Sequence, residues 1–161
     1  MTTPSDPIDR LRAFGNQLTD THLRLRDELD DLRAALAAGA PAAPTRDLGA
    51  HCLAFCAHLH EHHTDEDTTV FPALARRDPA LRPVLEQLEW DHRVVAQILT
   101  RITELVGGVP PDPAPPALRG VLGELDGLTA LLESHFRFEE KRLVDALNAM
   151  GDPAHRPDAG R

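Results

Sequence analysis

The sequence predicts an all-α fold, an antiparallel up-down-up-down four-helix bundle built from a duplicated αα hairpin. Of the 161 residues, 42% are apolar but only 4% are aromatic, and the helix formers Leu and Ala dominate. The 14 prolines cluster at a few joints between long segments. Within each segment, apolar residues recur at alternating spacings of three and four, which is the pattern of a helix packed in a bundle.

Capping signals set the bounds of the four helices. Asp6 and Asp78 stand before Pro7 and Pro79, which is a common helix start, and Gly107 follows the third apolar stripe as a stop signal. Pro72 is expected to kink or loosen the last turn of the second helix. The predicted helices cover residues 7–38, 45–75, 79–106 and 117–150.

The chain length and the net charge limit the number of domains and the kinds of partner that we expect. A chain of this length suits one domain, predicted over residues 7–150, with an N-terminal tail at 1–6 and a disordered C-terminal tail at 151–161. The net charge of −9 argues against nucleic acid as a partner, because that would need a basic face. No apolar run approaches the roughly 20 residues of a membrane span, and no signal peptide is evident. We therefore expect a soluble, cytoplasmic monomer or dimer.

Six polar residues interrupt the apolar stripes. Counted from the predicted turns, the four histidines among them lie at nearly the same depth in the bundle, and each glutamate follows a histidine by four positions on the same face. A buried carboxylate without a partner is strongly disfavoured, and a cation among these side chains removes that problem. The predicted metal ligands are His22, His62, Glu66, His92, His135 and Glu139.

The second and fourth helices carry matching segments. Residues 62–74 and 135–147 share a histidine, an acidic pair, an aliphatic residue and an Ala-Leu pair at the same offsets. Each half of the chain thus contributes a lone histidine and a His-x-x-x-Glu motif. Such a duplication makes a two-metal site natural, with two histidines for each metal and with Glu66 and Glu139 as bridges.

These motifs resemble the hemerythrin-like family, also called HHE cation-binding domains, over residues 7–150. The resemblance implies two iron ions in an oxo- or hydroxo-bridged di-iron centre. It makes the four histidines terminal ligands and the two glutamates bridges. The resembling segments are His22, His62 to Glu66 running into Val70-Phe71-Pro72, Asp91-His92, and His135 to Glu139.

Two positions depart from the oxygen-carrying hemerythrins. The last carboxylate here is Glu139, four residues after its histidine, whereas theirs is an Asp five residues after it. Those proteins have a second histidine one turn after the ligand of the third helix, where this chain has Ala96. The chain therefore resembles the bacterial branch of the family with four histidines and two glutamates. On that basis we expect one open position on each iron, and reaction with O₂ rather than reversible oxygen carriage.

Other candidate ligands fit less well. His63 and Asp67 repeat the His-x-x-x-acid spacing but lie about 100° around the helix from the stripe, so His63→Ala is expected to keep its iron. His58 is an alternative or supporting ligand, and the motif Glu89-x-x-His92 occurs once, whereas ferritin-like sites need it twice. His51 and His60 are expected to be solvated. Cys52 and Cys56 are interpreted as small side chains of the core or its edge.

Three functions remain open at this point. The first is binding of, and reaction with, O₂, NO or peroxide in sensing or stress response. The second is a di-iron oxidase, oxygenase or peroxidase that acts on a small substrate, such as a nitrogen compound, with an external electron donor. The third is iron storage or delivery. Whether the protein is an enzyme is left undecided by the sequence.

Overall fold

A computed structural model describes the backbone of residues 7–38 and 45–150 and the side chains of residues 13–38 and 48–147. The predicted all-α four-helix bundle is confirmed, and the predicted tails lie outside the described residues. No helix in the described part is long and apolar enough to cross a membrane. The α-helices are α1 (Pro7–Ala37), α2 (Thr45–Asp65), α3 (Phe71–Arg77), α4 (Arg82–Gly107) and α5 (Pro115–Met150).

The second predicted helix is one helical segment with a wider turn in it. A π-helical turn, Glu66–Val70, joins α2 to α3, and the backbone N–H of Phe71 donates to the carbonyl of Glu66. Pro72 follows immediately and has no N–H to donate to the preceding turn, which accounts for the change of helical pitch at this place. The expected loosening at Pro72 thus occurs on its N-terminal side, at a candidate ligand.

Polar contacts fix the helices as antiparallel neighbours. As residue numbers rise along α1, those of the contacted residues on α5 fall: His22 contacts Glu140, and Arg33 binds Asp126. The same reversal relates α1 to α2, α2 to α4 and α4 to α5, and these four pairs make the main packing contacts of the bundle. Each long helix therefore packs against two neighbours and turns a broad face, rather than a narrow line, to the interior.

Two apolar layers enclose a polar level between them. One layer is formed by residues such as Leu25, Phe55 and Val95, and the other by residues such as Leu18 and Leu88. On α1 and α4, a histidine occupies the level between a member of one layer and a member of the other. The aliphatic layers hold the helices in place, so that the polar side chains between them meet at one height.

Candidate metal centre

Between the apolar layers, the structure brings together all six side chains predicted as ligands, and a seventh, His63. His22 and Glu139 are fully buried, and His62, which is 12% exposed, is the most accessible of the seven. The ligand atoms form two groups that share a carboxylate. Within each group they lie within 4.8 Å of one another.

The first group joins α1, α2, the π-helical turn and α5. The Nε2 atom of His22 lies 3.2 Å from Nε2 of His62 and 3.1 Å from Oε1 of Glu139. The carboxylate of Glu66 contacts the imidazole of His62 one turn earlier on the same face. Two imidazole nitrogens and two carboxylate oxygens thus converge on one point.

The second group joins α2, α4 and α5. The Nε2 atom of His63 lies 3.2 Å from Nε2 of His135, and Nε2 of His92 lies 3.1 Å from Oε2 of Glu139. The rings of His63 and His92 stack with centroids 3.8 Å apart. Three imidazoles therefore surround the second point, where the sequence had predicted two.

The two glutamates face both groups. Glu139 turns Oε1 to the first group and Oε2 to the second. Glu66 turns Oε1 to His62, and its Oε2 lies 3.5 Å from Nε2 of His92. Each glutamate thus points one oxygen towards each group, which is an arrangement that would allow it to bridge two cations.

Burial keeps most of these histidines neutral. It lowers the pKa of His62 and of His135 to about 4, and neighbouring imidazoles add to the effect. The pKa of His63 is also lowered well below its ordinary value, for the same reasons. Burial also lowers the pKa of His92, but the carboxylates of Glu139 and Asp67 outweigh it, and the net shift is upward. Neutral imidazoles present free lone pairs, which is the state that binds metals.

The pKa values of Glu66 and Glu139 are shifted in opposite directions. Burial, and then the nearby charge of Glu139, raises the pKa of Glu66 well above its ordinary value. Burial acts in the same direction on Glu139, but its close contacts with the imidazoles of His22 and His92 outweigh burial and lower the pKa of that group. In the protein alone, the pair therefore resists carrying two negative charges.

The donor set fits a pair of cations. Both oxygens of Glu66 and Oε1 of Glu139 are buried, and no hydrogen bond to them is formed within the described residues. Buried carboxylate oxygens without a donor are costly, and the neutral imidazoles of His62, His63 and His135 offer lone pairs instead of protons. Cations at the two points would satisfy both kinds of group at once. Nitrogen and oxygen ligands in this mixture suit first-row transition metals.

The expectation that His63 points away from the core is wrong. His63 is 5% exposed and lies within the second group. The prediction assumed that each helix turns a single line of residues inward. In the bundle, α2 packs against both α1 and α4, so neighbouring residues about 100° apart both face the polar level. The signal for this was present in the sequence as the adjacent pair His62-His63.

The other candidates lie outside the two groups. His58 is exposed, and its Nδ1 atom lies 3.2 Å from the carboxylate of Glu28. Cys52 is buried in the apolar layer and Cys56 contacts Thr103, which agrees with the packing interpretation. Glu89, of the ferritin-like motif, belongs to neither group.

A groove between α2 and α4 leads to the second group. It has a volume of about 350 Å³, and His63, His92 and Leu99 form its buried floor. Ala96 lines its wall. The rim carries charged and polar side chains, namely His60, Thr64, Asp67, Glu89 and Arg93.

Comparison with known families agrees with this geometry. The family model described as hemerythrin HHE cation binding domain matches residues 14–147, which include both ligand groups and the two apolar layers. Neither the curated proteins nor the solved structures contain a match to the chain. Since the family model covers most of the sequence, the chain belongs to the hemerythrin HHE cation-binding domain family, whose members bind metal.

Proposed function

We propose that this protein is a non-haem di-iron protein that binds and reacts with O₂, NO or peroxide, with a role in sensing or stress response. The observation that carries the proposal is the pair of ligand groups that share Glu139, with Glu66 of the first group also facing His92 of the second. A single metal would leave one of these groups, and one oxygen of each glutamate, without a cation.

Each ligand has a distinct role in this proposal. His22 and His62 hold one iron, and His63, His92 and His135 hold the other. Glu66 and Glu139 bridge the two and balance their charge. When bound, a pair of ferrous ions supplies Lewis acidity and electrons for the binding and reduction of small oxidants.

The two sides of the centre are unequal. The first group has two imidazoles and the second has three. Because Oε2 of Glu66 also lies 3.5 Å from Nε2 of His92, the second group offers five protein donors and the first offers four, so we place the small ligand at the first. This replaces the expectation of one open position on each iron, because His63 provides the fifth imidazole from α2 rather than from position 96 of α4. With that change, the absence of a histidine at position 96 no longer argues against reversible oxygen binding.

Anaerobic loading with Fe²⁺ tests the proposal directly. We expect two irons per chain by metal analysis, and rapid spectral changes in stopped-flow mixing with O₂, NO or peroxide. A stoichiometry of one or none would refute the two-metal site. Two bound irons that are spectrally inert to all three molecules would refute the reactivity while leaving the metal site intact.

A second candidate function is a di-iron oxidase, oxygenase or peroxidase for a small substrate. The groove between α2 and α4 favours it, because it reaches the ligands His63 and His92 from the surface and is large enough for a small organic molecule. In this case, electrons for reactions with O₂ come from an external donor.

Filling the groove distinguishes the two functions. Ala96→Phe would fill the groove from its wall without replacing any of the proposed ligands. For an enzyme, peroxide-driven oxidation of an aromatic amine such as o-phenylenediamine should fall in this variant, while iron content and NO binding stay unchanged. Equal turnover in the parent protein and the variant would argue against the groove as a substrate site.

A further inference from the structure

The residue that follows each bridging glutamate is a second acid, and each of these acids holds a histidine of another helix. Asp67 accepts a hydrogen bond from Nδ1 of His92 at 2.7 Å. Glu140 accepts one from Nδ1 of His22 at 3.0 Å. Both carboxylates are partly shielded, with exposed fractions of 33% and 23%.

These contacts cross between the two halves of the chain. Asp67 belongs to the first hairpin and holds His92 of the second, whereas Glu140 belongs to the second and holds His22 of the first. The reciprocal exchange follows the duplication, in which an acidic pair ends the motif of each half. In each half, the first acid faces the polar level and the second faces the lone histidine of the other half.

Such a contact selects one form of the imidazole. A neutral imidazole has one N–H and one lone pair, on different nitrogens. When Nδ1 carries the proton and donates it to a carboxylate, Nε2 is left with the lone pair. In both His22 and His92, Nε2 is the atom that faces a ligand group. A carboxylate on the far nitrogen also makes the imidazole a stronger donor to a metal.

The two contacts differ in their charge balance. Arg26 donates to Glu140 at 2.8 Å and to Glu133 at 2.7 Å, so the charge of Glu140 is shared with a guanidinium. Asp67 has no such arginine or lysine partner within the described part of the chain. The histidine in contact with Asp67 therefore feels the carboxylate more strongly than the one in contact with Glu140.

We propose that Asp67 and Glu140 are positioning residues that fix His92 and His22 in the tautomer with Nε2 towards the metal. This inference rests on the proposed metal centre and adds a second layer of residues to it. The unequal charge balance makes Asp67 the stronger of the two, so the imidazole of His92 would donate more electron density to a bound iron than that of His22.

The test is competition for Fe²⁺ between a coloured chelator and the Asp67→Asn and Glu140→Gln variants under anaerobic conditions. Loss of a partner of this kind typically weakens metal binding roughly 10- to 100-fold. Each acid contacts a histidine of only one group. Each variant should therefore lose one iron at a lower chelator concentration than the parent protein does, and should lose the other iron at about the same concentration as the parent. The reduction potential should rise in both, and more in Asp67→Asn, because a weaker imidazole donor favours Fe²⁺ over Fe³⁺.

Matched controls separate positioning from simple packing. Asp65→Asn removes the same charge from an exposed position two residues earlier, and Glu133→Gln removes the other partner of Arg26 without touching a histidine. Both controls should match the parent protein in affinity and potential. Unchanged affinity in Asp67→Asn and Glu140→Gln, or an equal loss in the controls, would refute the inference while the metal centre stands. A parent protein that binds no iron would refute both.

Discussion

Replacing Glu66 by glutamine should stabilise the metal-free protein and destabilise the metal-loaded one. In the metal-free protein, the carboxylate is buried beside Glu139 and its pKa is raised well above 4.5 by burial and by that neighbouring charge. The amide of Gln has nearly the same shape and no charge to bury. With metal present, however, the amide keeps only one of the two oxygens that face the groups, and it removes the negative charge that both ions would share.

The size of the metal effect follows from mass action. An ion present at 100 times its dissociation constant stabilises the folded state by about 2.7 kcal/mol. For a chain of this length, about 1 kcal/mol corresponds to roughly 2–4 °C in melting temperature, so each ion contributes about 5–10 °C. If Glu66→Gln weakens the binding of each ion about 100-fold, the stabilisation by each ion falls to about 0.4 kcal/mol. Most of the melting difference between loaded and chelated protein should then disappear.

The metal-free protein should also change its pH dependence. Because the folded-state pKa of Glu66 is raised, the folded protein keeps a proton that the unfolded chain releases above pH 4.5. Stability contributed by this group is therefore present below that pH and is lost as the pH rises towards the folded value. Glu66→Gln removes this slope, and its advantage over the parent should grow with pH.

Thermal melting followed by circular dichroism, with chelator and with Fe²⁺, measures both effects. Glu61→Gln, an exposed change on the same helix, is the control and should behave like the parent in both states. The reasoning fails if metal-free Glu66→Gln melts below the metal-free parent across the neutral range. It fails equally if the loaded variant keeps the full metal-dependent increase.

Three further results are expected. His63→Ala should weaken iron binding in equilibrium dialysis, whereas His60→Ala, at an exposed position, should not; equal affinities of the two variants would exclude His63 as a ligand. Metal-free Glu66→Gln protein, which lacks the opposite slope of Glu66, should lose stability in urea melts as the pH falls from 6.5 to about 4. The reason is that the unfolded chain binds protons there that buried His62 and His135 do not, and a flat profile of this variant would contradict their burial as neutral groups. Chelation should lower the melting temperature of the parent protein without removing its helical signal, since two apolar layers remain; a molten or unfolded product would show that the layers alone do not hold the bundle.

The periodicity of the sequence was sufficient to predict the bundle and six of the seven side chains that meet at the candidate site. A polar residue at a position of an aliphatic stripe must face the core, whatever the details of packing, because the stripe itself marks the buried face. His22, His92 and Glu139 were found in this way. Equal distances from the turns then placed the histidines at one height, since an α-helix rises by a constant amount per residue.

Only the tertiary structure decided how the candidate ligands are divided between the two groups. Which flank of α2 faces α4, and hence whether His63 joins His92, depends on the rotation of the helix about its axis, and a repeat of three and four leaves that rotation uncertain by about one residue. The contacts of Asp67 and Glu140 are likewise made across helices, between residues 25 and 118 positions apart. The spacing of residues along one helix determines which side chains share a face, but the contacts between faces arise only when all the helices pack together.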